Sequence, residues 1–139
     1  MNHFHVNKKG EVIIPEFRDT ILKSITSMSQ LALEERLGHP VRQERISVGE
    51  FIEGIRSGEI REAGGFGTAA GVAPIGSYLT DLRSKKLTKN VKRGDLGNLV
   101  VWNGGVGPVT RKMYDFLTGI QRGTLEAPEG WMHHVDRAA

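Results

Sequence analysis

The chain has 139 residues, 38% hydrophobic and 25% charged, with a formal net charge of +3 and a pI near 9.4. This is the composition of one ordinary globular domain, long enough to bury a core and neither fibrous nor disordered. The absence of cysteine excludes a disulfide framework, thiolate metal sites and thiol redox chemistry, and with no signal peptide or long apolar span the sequence reads as cytoplasmic, without a membrane partner.

HFHVNKKGEVII predicts two short strands, Phe4 to Val6 and Glu11 to Ile14, around a turn at residues 7 to 10, closed by Pro15. From Asp19 to Leu37 a helix is predicted, because Ile21, Ile25, Met28 and Ala32 recur at helical spacing, Leu22 and Leu33 widen the stripe, and Gly38 stands ready to end it. Pro40 blocks continuation, and Val41 to Val48 suits a strand. Ser47 and Glu50 form an S-x-x-E capping box for a second helix that carries Phe51, Ile52 and Ile55 and stops at Gly58.

Glu59 to Ala63 then reads as a strand entering GFGTAAGVAPIG, residues 65 to 76, an uncharged stretch with four glycines and one threonine. Gly71 to Leu79 reads as the strand leaving it, with Pro74 favouring a sheet edge. The basic run RSKKLTKNVKR at residues 83 to 93 follows; without interleaved aromatics or a recognition helix it reads as a solvated loop, and no nucleic-acid partner is expected. Asn98 to Trp102 is a strand by content, Gly104, Gly105 and Gly107 form a hinge, and Pro108 opens a last helix buried through Val109, Met113, Phe116 and Ile120 and stopped at Gly123.

Two readings of the glycine-rich stretch are open on its chemistry alone. It is a tight connection between buried strands, or a loop whose backbone N–H groups around Thr68 meet an anion, since glycines admit positive φ and close approach. Other candidates favour structure: His3 and His5, and His133 and His134, lack further ligands at metal spacing, so no metal is expected. Tyr114 and Asp115 are helix neighbours pointing in different directions, which puts the first in packing and the second in solvent. Trp102 and Trp131 read as core or interface residues.

SGEIREAGGFGTAAGVAPIG followed by GPVTRKMYDFLTGIQRGTLEAPEGW resembles the carboxy-terminal half of the branched-chain amino-acid aminotransferases, pyridoxal-phosphate enzymes of fold type IV. The likeness takes in RxSVxEF at Arg45 to Phe51, GEIREA at Gly58 to Ala63, GTAA at Gly67 to Ala70, PIG at Pro74 to Gly76, GPVTRKMYDxLTGIQxG at Gly107 to Gly123, and GW at Gly130 and Trp131. Motifs in fixed order over most of the chain are more specific than one glycine loop. The opening MNHFHV also resembles the family's Met-Asn-aromatic strand.

The resemblance implies an α/β fold, a mixed sheet with flanking helices belonging to the barrel-like large domain, over residues 1–135, with 136–139 as a tail. It places Thr68 at the cofactor phosphate and the substrate carboxylate, Ala69 at that carboxylate, and Gly67 in the phosphate loop. The full enzyme it implies is a homodimer that moves an amino group between leucine, isoleucine or valine and 2-oxoglutarate. Its Schiff-base lysine and pyridine-nitrogen glutamate both precede the equivalent of Met1, so no catalytic residue is expected in this chain. Lys8, Lys9, Lys23, Lys85, Lys86, Lys89, Lys92 and Lys112 stand in no matching context and read as surface charges.

The family's second phosphate contact, a Gly-Ile-Thr-Arg or Gly-Val-Thr-Arg turn at a helix start, has no evident match between Ile14 and Arg18. There IIPEFRDTIL leads almost directly into the predicted helix, with Phe17 and Arg18 at the corner. Two alternatives accompany the aminotransferase reading. One is a sibling fold-type-IV enzyme, a D-amino-acid aminotransferase or aminodeoxychorismate lyase, and the other is a non-catalytic remnant used for association. For the chain alone the expectation is no transaminase activity and at most weak pyridoxal-phosphate binding.

Overall fold

The computed structural model describes residues 1–18, 20–80, 97–102, 104–133 and 135. The basic run at 83–93, His134 and the tail at 136–139 lie outside the described residues. Five strands, β1 (Asn2–Asn7), β2 (Val12–Pro15), β3 (Val41–Glu44), β4 (Ile60–Gly67) and β5 (Gly71–Ile75), form one sheet in the order β3-β2-β1-β4-β5. β2 and β3 run parallel and the other neighbours antiparallel, so the sheet is mixed. β6 (Ser77–Thr80) pairs with β7 (Gly97–Val100) as a separate antiparallel ribbon.

The parallel β2 to β3 connection carries α1 (Ile25–Ala32) and α2 (Glu34–Leu37), as a crossover between parallel strands requires. α3 (Val48–Ser57) joins β3 to β4, and α4 (Pro108–Gln121) follows β7. Alternation along the strands divides the core. Phe4, Val6, Ile14, Phe66 and Val72 pack with Leu33, Leu37, Val109, Met113 and Leu117 in one cluster, while Ile55, Ile60, Ala63 and Val101 form a second. Each fully buried Leu, Ile or Phe contributes about 1.5–3 kcal/mol relative to exposure.

Most boundaries follow local chemistry. Ser47 Oγ accepts from Glu50 N while the Glu50 carboxylate accepts from Ser47 N, a complete capping box for α3. Gly38, Gly58 and Gly123 take positive φ after their helices, at 66°, 75° and 71°. Pro108 occupies the first turn of α4. Phe116, predicted on the buried face of that helix, is half-buried, and Leu117 is the buried residue of that turn.

Two expectations are corrected. The helix predicted from Asp19 starts at Ile25, capped by Ser24, and is interrupted at Leu33. Most of its predicted apolar stripe faces out: Leu22 is 81% and Ile25 76% exposed, and of that stripe Leu33 alone is buried, whereas Ser27 and Gln30 are fully buried. Leu33 and Leu37, both fully buried, set the rotation, and counting back from them at helical period reaches Gln30 and Ser27. The second correction concerns the glycine stretch, because β4 runs on through Gly64, Gly65 and Gly67, leaving a loop of only residues 68–70.

Candidate functional site

β4 and β5 form a hairpin whose last pair is Gly67 with Gly71, so Thr68, Ala69 and Ala70 make its tip. All three tip residues are exposed. Gly71, at φ 63°, supplies the left-handed residue that closes a three-residue hairpin loop. Gly64 and Gly65 serve close approach instead: a Cβ at Gly64 would lie 2.4 Å from Phe4 Cζ, and one at Gly65 2.5 Å from Met1 Cε. The bare stretch is therefore largely strand, and Gly64 and Gly65 leave room for the Phe4 and Met1 side chains against β4.

The pairing register brings three elements to one end of the sheet. Asn2 opposes Phe66 in β4, two residues before the tip, and on the other flank His5 opposes Ile13, so the chain leaves β2 at Pro15 on that same end. Residues 16–18 and 20–24 lie between there and the start of α1, and Asn2 Nδ2 donates to the Leu22 carbonyl at 2.6 Å. Met1, Asn2, His3, Ile14, Thr20 and Leu22 line part of a hollow of about 330 Å³ there.

This passage overturns the expected corner at Phe17 and Arg18. Phe17 packs against the core, and Arg18 pairs with Glu16 in solvent. Neither stands at a helix start. The helix start is Ser24-Ile25-Thr26-Ser27, with an Ile-Thr pair in the first turn, several residues later than the sequence predicted. Ser24 Oγ accepts from Ser27 N at 3.3 Å. The amides of Ile25 and Thr26 have no intrahelical acceptor by the geometry of any helix start. The signal that could have found them was Ser24 as an N-cap before Ile-Thr.

Two shared motifs meet in a buried contact that sequence reasoning missed. Glu62, from GEIREA, is 4% exposed, and its carboxylate accepts from Val109 N at 3.1 Å, Thr110 N at 2.8 Å and Thr110 Oγ1 at 2.7 Å. It caps α4, where an anion meets the free amides and the positive end of the helix dipole. Gly107 leaves it room, since a Cβ there would lie 2.1 Å from Glu62 Cδ.

His3 and His5 belong to an aromatic cluster on the α3 side. His3 Nε2 lies 2.9 Å from the Tyr78 hydroxyl, and Phe51 meets both imidazoles in T-shaped contacts. Burial lowers His3 to about 4; burial, with His3 and Arg42 nearby, lowers His5 to about 4. Burial pushes Tyr78 up to about 12. Both imidazoles are thus neutral at pH 7. Tyr114 packs against the core and Asp115 pairs in solvent with Arg111 at 2.9 Å. Trp102 is half-buried and Trp131 38% exposed. Among the described residues, no three of His, Asp and Glu gather as a metal-binding group, and no helix is long and apolar enough to cross a membrane.

The order of motifs along this framework can be set against known proteins. A Staphylococcus aureus protein named "Probable branched-chain-amino-acid aminotransferase" is 38% identical over 131 residues, which is 94% of this chain and 32% of that protein. The chain belongs to the branched-chain aminotransferase family. It spans about a third of the length of the curated relatives it matches. The solved Escherichia coli branched-chain aminotransferase is 26% identical with a TM-score of 0.70, over 97% of this chain and 36% of that one. A Thermoproteus uzoniensis branched-chain aminotransferase solved with norvaline is 25% identical with a TM-score of 0.59, over 90% of this chain and 33% of that one. No protein-family model matches.

Proposed function

We propose that this chain is the part of a branched-chain amino-acid aminotransferase that holds the cofactor phosphate and the substrate carboxylate. The carrying observation is that the exposed tip at 68–70 and the passage into α1 lie at the same end of the sheet, on either flank of β1. Thr68, with its hydroxyl and amide, and the Ile25 and Thr26 amides at the start of α1 would hold phosphate, with Gly67 leaving the approach open. Thr68 and Ala69 would hold the substrate carboxylate. These donors fit the anionic end of pyridoxal phosphate, because main-chain N–H groups next to small side chains meet an anion without losing rotamer freedom. Bound, the cofactor supplies an electron sink for the substrate carbanion.

On this reading the small-molecule partners are an amino acid and a 2-oxo acid, the whole enzyme is a cytoplasmic homodimer, and the reactive lysine lies outside this chain. The test is amino transfer from leucine to 2-oxoglutarate, assayed with this chain alone and with a protein encoded by the reading frame extended upstream of Met1. The expected result is no transfer by the chain and transfer by the extended protein. Borohydride trapping of pyridoxal phosphate at a single lysine of this chain would contradict the assignment.

A further inference from the structure

We infer that Glu62 is a positioning residue for the 68–70 tip, acting along α4 on the far side of the sheet from His3 and Tyr78. This rests on the proposed role of the tip. Glu62 opposes Val6 in β1, away from the tip, yet α4 connects the two places. Its first turn hangs on the Glu62 carboxylate through three hydrogen bonds, two from main-chain amides and one from Thr110 Oγ1. Two turns further on, Leu117 is buried against the same cluster as Phe66 and Val72, and its Cδ2 lies 4.0 Å from where a Cβ of Gly71 would stand.

Phe66 and Val72 are paired one step below the Gly67–Gly71 pair that closes the tip, and Gly71 is its positive-φ hinge. From Pro108 to Leu117 the helix advances about 13 Å, a rigid strut with Glu62 at one end and the tip's base at the other. A carboxylate sets the axial position of such a strut more tightly than apolar packing, because two adjacent amides and a hydroxyl fix it in direction as well as distance. Sliding or tilting α4 would move Leu117 against Gly71 and re-aim the Thr68 and Ala69 amides. Close-packed interiors transmit displacements of this kind.

The experiment uses the 139-residue chain with Glu62→Gln and, as a milder variant, Thr110→Val, with Thr110→Ser as the conservative control. Glu62→Gln keeps the shape but turns an amide donor toward the α4 amides. Thr110→Val removes one of the three bonds, and Thr110→Ser keeps it. Two readouts are taken: the ligand-free amide shifts and hydrogen exchange of residues 66–72, and the affinity of the tip for pyridoxal phosphate from amide titration. The inference predicts ligand-free shifts at 68–71 and several-fold faster exchange there in Glu62→Gln. Smaller changes of the same direction are expected in Thr110→Val, and wild-type behaviour in Thr110→Ser.

Pyridoxal-phosphate affinity should fall at least threefold in Glu62→Gln. A merely structural role predicts changes confined to α4 and β4 near Glu62, with tip shifts and exchange unaltered, and that result overturns the inference. Should Glu62→Gln fail to fold, Thr110→Val decides by the same tip shifts. The outcomes stay separable from the parent reading. If the wild-type tip ignores pyridoxal phosphate, that reading fails, while the ligand-free shifts still report whether Glu62 positions the tip.

Discussion

Gly64 and Gly58 are both glycines, but they are required for different reasons. A Cβ at Gly64 would fall 2.4 Å from Phe4 Cζ and 2.5 Å from the Ala73 carbonyl oxygen, so Gly64→Ala must displace backbone as well as a ring. The expected cost is about 1–3 kcal/mol. Gly58 meets nothing within 4 Å but sits at φ 75°, so Gly58→Ala is expected to cost about 1 kcal/mol through backbone strain alone. Urea denaturation of the two variants checks the ranking, and equal costs would contradict it.

His5, buried, and His3, half-buried, set a pH dependence. Their folded values of about 4 lie below the ordinary 6.5, so between those limits the unfolded chain binds more protons. Their contribution to stability is complete above about pH 6.5 and is lost as pH falls toward 4, with a slope of at most about 1.4 kcal/mol per pH unit for each histidine. NMR titration should find His3 and His5 neutral at pH 5.5. Protonation of either above pH 6 would overturn the assignment.

At the scale of elements, termini were legible where a side chain does a local job. The Ser47 to Glu50 box, Pro108 and the glycine stops each satisfy or release backbone groups within a few residues, and such signals survive without tertiary information. Ser47→Ala is expected to lower stability by about 1 kcal/mol, measured by urea midpoint. The rotation of α1 was not legible. Most of its apolar stripe turns outward, because the buried Leu33, at the stripe's margin, and Leu37 decide which face turns inward.

That rotation leaves the Gln30 amide and Ser27 hydroxyl fully buried with no hydrogen-bond partner among the described residues. Replacing a buried unpaired amide by an apolar group of similar size removes a desolvation cost. Gln30→Leu is therefore expected to be neutral or stabilising by up to about 1 kcal/mol. A loss of more than about 1 kcal/mol in urea would show that the amide is satisfied in solution.

Over the whole molecule, the mixed sheet and the family were readable because their signals are distributed: alternation along strands, and motifs in fixed order. The proposed site was readable only in part. Thr68 and Ala69 carried a recognisable local pattern, whereas the start of α1 depended on where the helix begins, and Glu62 on a partner 47 residues away. Charge in solvent was the simplest prior for Glu62, since an isolated glutamate in a sequence gives no sign of burial.

The central claim is that the sheet end carrying Thr68, Ala69 and the start of α1 receives an anion. Titrating the isotopically labelled chain with pyridoxal phosphate, and separately with inorganic phosphate, while following the backbone amides tests it most directly. The account predicts saturable shifts at Thr68, Ala69, Ile25 and Thr26, weakened by added salt, with residues 8–11 at the opposite end of the sheet unmoved. Unchanged amides at Thr68 and Ala69 up to millimolar pyridoxal phosphate would contradict it.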